Sequence, residues 1–235
     1  MGITLSNAIL LKEKAKGNGR VVCLGRPTTP FSWKDIQVNR RGKVDYVSFF
    51  KEIGYSDVLC IDTDPDEADL CCDLNQELPW QLKGEFSLVV DCGTTEHIFD
   101  VKQTIENINS LCRDGGKIFH HTPANGYIDH GFFQFSPTFY LDYYGDNIIS
   151  AYTIKDYGKW VVAVPYTEDI YRTKGWKFAA MYPRATNFFL AKKTDKNTPH
   201  QGYYSESKKI PTKETKRVFF NGILRKIVNF AVINN

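Results

Sequence analysis

Three aspartates follow three successive apolar runs in this chain: Asp62 after DVLCI, Asp73 after ADLCC and Asp91 after FSLVV. A carboxylate at the carboxyl end of a buried strand opens onto the crevice where open α/β sheets bind their ligands. There, an acid after the second strand can accept hydrogen bonds from ribose hydroxyls, and an acid after the third can meet an adenine amino group. Aspartates also favour loop starts and helix caps for local reasons, so one alone says little; three in order favour a site. Glu96 and His97 come shortly after the fourth apolar run, and His120, His121 and His130 lie at or beyond the fifth. Imidazole titrates near neutral pH, which suits a general base. Glu96, His97 and His130 can accordingly be read as local capping and packing groups or as a base. His120 and His121 point to opposite faces of a strand; His121, nearer its end, is the site candidate and His120 the core one.

The elements that must position these groups alternate in type. Residues 6–16 read as an amphipathic helix capped by Ser6 and ended by Gly17-Asn18-Gly19. Buried strands are expected at 20–24, 57–61, 68–72, 86–90, 117–120, 148–154 and 187–191, each a continuous apolar run. The proline-bearing stretch 26–42 reads as a loop, while 44–53 and 98–111 carry apolar residues spaced for one helix face. Strands alternating with helices in this way predict an α/β fold with a doubly wound, mostly parallel, seven-stranded sheet. Residues 157–184 break the alternation and read as an insertion before the last strand. Residues 1–194 would then form one domain. Residues 195–235 would follow it as a polar, lysine-rich connector and an amphipathic helix at 218–232. The insertion and that helix offer surfaces for a homodimer.

Between the fifth strand and the sixth lies a segment dense in aromatic residues. Tyr127, Phe132, Phe133, Gln134 and Phe135 would shape an acceptor pocket there, although aromatic side chains are more often simply core. The composition is that of an ordinary globular protein, with 42% hydrophobic and 24% charged residues. A net charge of +3 is too small to argue for DNA or RNA by electrostatics alone. None of the six cysteines forms a C-x-x-C pair, and most fall in apolar runs, so reduced buried thiols in a cytoplasmic protein are expected. No transmembrane stretch or signal-peptide core is visible.

With these residues in hand, the chain resembles the class I S-adenosylmethionine (SAM)-dependent methyltransferases over about residues 20–150. DVLCID resembles the ribose-binding strand, CCDLN the adenine-side turn, FSLVVDCGTTEHIFD the fourth strand with its helix, and GGKIFHHTPAN the fifth strand. The pattern H-T-P-A-N-x-x-x-x-H-G-F-x-Q-F-S-P is similar to small methyltransferases of capsule and surface-polysaccharide gene clusters. The resemblance implies a SAM-dependent O-methyltransferase with S-adenosylhomocysteine as product and a small acceptor, carbohydrate or phosphate-bearing. It implies cofactor contacts from Gly25, Arg26, Thr28, Asp62, Thr63, Asp73, Leu74, Asp91 and Gly93. His130, His121, His97 and Glu96 would line the reaction site. The family's glycine-rich turn after the first strand is reduced here to Leu24-Gly25-Arg26-Pro27-Thr28-Thr29, so the methionine end must be held differently. Glu96, His97 and His130 also resemble part of the metal set of small-RNA 3′-terminal 2′-O-methyltransferases, with Gly93 where that layout has its first glutamate. That makes RNA 2′-O-methylation with a divalent metal the alternative, and a non-catalytic SAM-fold binding module a second one.

Overall fold

The computed structural model describes residues 2–156, 160–165, 184–194 and 229–232. The first half of the chain alternates strand and helix. After α1 (Leu5–Lys14) come β1 (Arg20–Leu24), α2 (Tyr46–Glu52), β2 (Asp57–Asp62), β3 (Leu70–Cys71), β4 (Phe86–Cys92), α3 (Val101–Leu111) and β5 (Cys112–Asn125). Then follow α4 (Pro137–Tyr144), β6 (Ile148–Asp156), β7 (Trp160–Pro165), β8 (Ala185–Lys192) and β9 (Asn229–Val232). They form a nine-stranded sheet in the order β3-β2-β1-β4-β5-β8-β6-β7-β9. All pairings from β3 to β5 are parallel, β8 runs antiparallel to both β5 and β6, and β7 is antiparallel to β6. The order reverses between β1 and β4, and a ligand crevice is expected outside the carboxyl ends at that switch point.

The seven expected strands are all present, and two more extend the sheet to nine. β7 lies in the stretch read as an insertion; its run WVVAVP is strand-like, but it follows β6 directly and so breaks the α/β alternation. β9 occupies Asn229–Val232, where the last turn of a helix was expected; short apolar runs fit either period, and pairing with β7 decides it. The remainder of that helix, the connector and most of the insertion lie outside the described residues.

Each face of the sheet carries a core. Leu11, Phe49 and Phe50 from α1 and α2 cover one face, and Ile105, Ile108 and Leu111 from α3 with Tyr140 and Tyr144 from α4 cover the other. The caps adjust the expected helix ends. Thr4, not Ser6, accepts from the Asn7 amide; Asp45 accepts from Ser48 (2.8 Å), so Val44 stays outside α2; and Asp100 accepts from Gln103 (2.9 Å), so α3 starts three residues later than expected. α4 was not foreseen; Ser136 caps it and Pro137 opens it, a pairing suited to a helix start. β5 continues through Pro123 to Asn125, beyond the expected end at residue 120. β4 stops opposite His121, so beyond that point β5 has one edge without a ladder and a proline fits. All six cysteines are free; Cys71 is exposed and Cys72 partly so, while the rest are buried. Among the described residues, no helix is long and apolar enough to cross a membrane.

Candidate active site

A cleft of about 450 Å³ opens at the switch point, lined by residues from the carboxyl ends of β1, β2 and β4 and the turn after β3. Gly25, Arg26, Asp62, Thr63, Asp73, Leu74 and Gly93 line it together, seven of the nine residues expected to hold a cofactor. Asp62 is the last residue of β2. Its Oδ1 accepts from the Thr63 and Asp64 amides (2.8 and 3.2 Å), which fixes the carboxylate, and Oδ2 lies on the Gly25 side of the cleft. Asp73 accepts from the Asn75 amide and side chain (both 2.9 Å), and these bonds hold its pKa below the usual carboxylate value. Arg26 is tethered to Glu67 by an ion pair (3.1 Å) and a bond to its carbonyl (2.8 Å). Gly25 has φ 68°, and a Cβ there would stand 3.0 Å from Thr94 Oγ1. A side chain would therefore be strained and would narrow the cleft at its centre.

Two expected cofactor residues are elsewhere. Thr28 is exposed, and its carbonyl accepts from Ile3, which ties down the N-terminal segment. Asp91 is fully buried one residue before the end of β4, opposite His120 on β5. It accepts from Thr95 Oγ1 (2.7 Å), from the Thr94 and Thr95 amides (3.3 and 3.2 Å) and from His120 Nδ1 (2.8 Å). Burial works against its charge, yet the bonds from His120 and Thr95 outweigh it and leave the pKa lowered. His120 Nε2 in turn meets Tyr144 Oη (2.7 Å). With Nδ1 donating to Asp91, Nε2 is the acceptor and the tyrosine hydroxyl donates. This Asp91–His120–Tyr144 chain ties β4, β5 and α4 together and sets the turn at Thr94–Thr95, whose Thr94 hydroxyl also donates to the Leu24 carbonyl.

That turn carries Glu96 and His97 on a short 3-10 helix (Thr95–His97), rather than on the start of α3. Glu96 is fully buried, and neither of its side-chain oxygens has a hydrogen-bond partner. Burial, with the Asp91 charge adding to it, pushes its pKa up to about 8. The loop after β5 folds over it: the Phe132 and Phe133 amides both donate to the Glu96 carbonyl (2.7 and 3.2 Å). Gly131 makes this approach; φ is 70° and a Cβ would sit 2.6 Å from that carbonyl. His130 is thereby brought to the carboxylate, Nε2 to Oε1 3.5 Å, and this buried nitrogen too is without a partner. His97 Nε2 lies 4.0 Å from the same oxygen, and the two imidazoles stack edge-on at 4.8 Å. Burial lowers the pKa of both histidines, so both are neutral at pH 7. One ligand atom from each residue lies within 4.8 Å of the others. A buried, unpartnered carboxyl group facing two neutral imidazoles fits a divalent cation, whose binding would displace the carboxyl proton. Gly93, where a fourth ligand was missing by sequence, lines the cleft instead.

His97 belongs to both places, since it also lines the cleft. His121 joins neither. It is 1% exposed in the middle of β5, and burial drives its pKa down to about 4, too weak a base for chemistry near neutrality. Of the acceptor candidates, Tyr127 stands 5.8 Å from the His130 ring, and Phe132 is exposed, its ring 5.8 Å from that of Phe99. Phe133 is half-buried between Phe99 and Phe135, and Gln134 spends its side-chain oxygen on the Tyr127 amide (3.0 Å), shaping the loop. Sequence reasoning missed Thr94, Asn75 and Ile98 in the cleft wall and Phe99, the exposed residue that follows Ile98. The run G-T-T-E-H after an apolar strand contained the Thr94 signal; nothing marked Phe99. A larger hollow of about 740 Å³ beside α3 has its charges paired within the chain, Lys83 to Glu77 (2.7 Å) and Lys193 to Asp114 (2.9 Å).

No protein-family model and no curated protein matches the chain. Among solved structures, it is similar to a SAM-dependent methyltransferase from Archaeoglobus fulgidus, with 14% identity over 80% of this chain and 92% of that one and a TM-score of 0.49. It is also similar to TehB from Haemophilus influenzae, with 14% identity over 79% of this chain and 61% of that one and a TM-score of 0.45. At identities and scores this low, the functional reading rests on the strand order and the cleft themselves.

Proposed function

We propose that this chain is a SAM-dependent O-methyltransferase acting on a small carbohydrate or phosphate-bearing acceptor, such as a surface-polysaccharide precursor. The observation that carries the reading is Asp62. It ends β2 at the switch point, its outer oxygen turned toward Gly25, in a cleft that His97 also lines. Asp62 receives the ribose hydroxyls, Asp73 the adenine side, and the Gly25 backbone with Thr94 the methionine end.

Methyl transfer needs alignment more than covalent help. The acceptor oxygen attacks the methyl carbon, the carbon–sulfur bond breaks with its electron pair going to sulfur, and the acceptor's proton must leave. His97, neutral and shared between cleft and cluster, is placed to take that proton on Nε2, while His130 and the Gly131–Phe133 turn close the site over Glu96. Glu96, His97 and His130 would alternatively hold a divalent ion; His97 would then be a ligand rather than the base, and the ion would supply Lewis-acid polarisation of the acceptor oxygen. The same cluster favours RNA 2′-O-methylation as the second reading, since a ribose hydroxyl has the same needs. Calorimetry with S-adenosylhomocysteine tests the main reading: wild type should bind and Asp62→Ala should not. Equal affinity in both proteins removes the ribose assignment. Methyl transfer to RNA that a chelator abolishes would favour the second reading.

A further inference from the structure

Beside the cluster, the chain exposes apolar surface that its own core does not use. Phe99 is 75% exposed and Phe132 66%, on the order of 300 Å² together, the lower end of the scale at which apolar patches on a monomer are often functional. The patch is continuous with the reaction site. Phe99 follows His97 by two residues, and Phe132 is pinned through its amide to the Glu96 carbonyl (2.7 Å). The two rings meet at 89° with centroids 5.8 Å apart, and Phe133 backs both, at 6.5 Å from Phe99 and 6.3 Å from Phe132. The result is a supported aromatic corner.

Its surroundings are acidic. Asp100 follows Phe99 and Asp129 follows Ile128, and both residues are exposed, although Asp100 already spends Oδ1 on capping α3 through the Gln103 amide (2.9 Å). Asp129 holds a φ of 65°, a conformation uncommon outside glycine, in the turn that turns Ile128 out to solvent. The nearby Lys102 is 3.7 Å from Glu106, and Arg184 lies over Tyr127 at the other end of the loop. Carboxylates beside an aromatic corner repel phosphate groups and anionic lipid but accept hydrogen bonds from hydroxyls. An uncharged sugar ring has both requirements: a C–H face to lay on an aromatic ring and hydroxyls around its rim.

We infer that Phe99, Phe132, Asp100 and Asp129 form an acceptor subsite for an uncharged sugar ring and select it over a phosphorylated one. The inference rests on the methyltransferase reading and narrows its acceptor to the carbohydrate class. The test is saturation-transfer NMR on protein saturated with S-adenosylhomocysteine, using methyl glycopyranosides and glucose 6-phosphate as probes. The glycosides should bind through their ring C–H protons, at least about tenfold tighter than the phosphate ester. Phe132→Ala and Phe99→Ala should each weaken glycoside binding by about 2- to 10-fold with cofactor affinity unchanged. Asp129→Asn should narrow the discrimination against the phosphate ester. Preference for the phosphate ester, glycoside binding indifferent to both phenylalanine substitutions, or capture of anionic vesicles through Phe99 and Phe132 would each overturn the subsite. Failure of the wild type to bind S-adenosylhomocysteine would instead remove the methyltransferase reading, and the subsite with it.

Discussion

Replacing Glu96 with glutamine should make the metal-free protein more stable at neutral pH. The carboxylate is buried without a partner, and its pKa is pushed from 4.5 up to about 8, first by burial and then by the Asp91 charge. The folded state therefore holds this proton more tightly than the unfolded chain. Stability from this group is fully present below the unfolded pKa, near 4.5, and is lost as pH rises through the folded value. Each pH unit in that window costs about 1.4 kcal/mol, so at pH 7 an ionisable Glu96 has cost roughly 3 kcal/mol. Glutamine keeps the shape and stays neutral throughout.

The assay is urea unfolding of wild type and Glu96→Gln in a chelator between pH 5 and pH 8. A lowered pKa at His121 slopes the other way, raising stability as pH climbs toward 6.5, but it is common to both proteins and cancels in the difference. His97 and His130 slope as His121 does and, because they face Glu96, cancel only in part. The variant should match the wild type to within about 1 kcal/mol at pH 5 and exceed it by roughly 3 kcal/mol at pH 7. Thermally, that is a shift of about 5–10 °C. A flat difference across the range, or a less stable variant at pH 7, would refute the buried unpaired carboxylate. If Glu96, His97 and His130 hold an ion, adding zinc or manganese at a hundredfold over Kd should stabilise the wild type by about 2.7 kcal/mol and the variant much less.

Two further outcomes follow from the same geometry. Tyr144→Phe removes the hydroxyl that donates to His120 and leaves a buried acceptor unpaired, so the urea midpoint should fall by the equivalent of about 1–3 kcal/mol; an unchanged midpoint would mean the bond has no energetic role. Gly25→Ala forces a side chain into a left-handed conformation and toward Thr94, so affinity for S-adenosylhomocysteine should drop about tenfold with circular dichroism unchanged; full affinity would remove Gly25 from the cofactor wall.

The sheet was legible because its strands are continuous apolar runs, and a run buried on both faces needs no alternation to be seen. Their order was not. Nothing in a single chain says that β8 inserts between β5 and β6, or that β9 closes the edge beyond β7, because those pairings join residues far apart in sequence. The cleft was legible to the extent that strand ends were. Asp62 and Asp73 stand where their strands stop or just after, and both reach the crevice.

Asp91 and His121 were misread for one shared reason. Polar residues after an apolar run read as strand ends, yet β4 runs on to Cys92 and β5 to Asn125. An acid one residue inside a strand cannot point along the crevice; it must face one side of the sheet and find a partner there. Asp91 finds it in His120, directly across the β4–β5 ladder, and Tyr144 completes the chain. The signal lay in pairing rather than in position. VVD and IFHH occupy neighbouring parallel strands, and a carboxylate in one can be buried when an imidazole stands opposite in the other. Core and site divide the acids between them on that basis. Asp91 is fully paired and fixes the turn, whereas Glu96, five residues later and equally buried, is left with two unpartnered oxygens beside two imidazoles. A fold that satisfies the first so completely and leaves the second open has kept Glu96 for something other than its own stability.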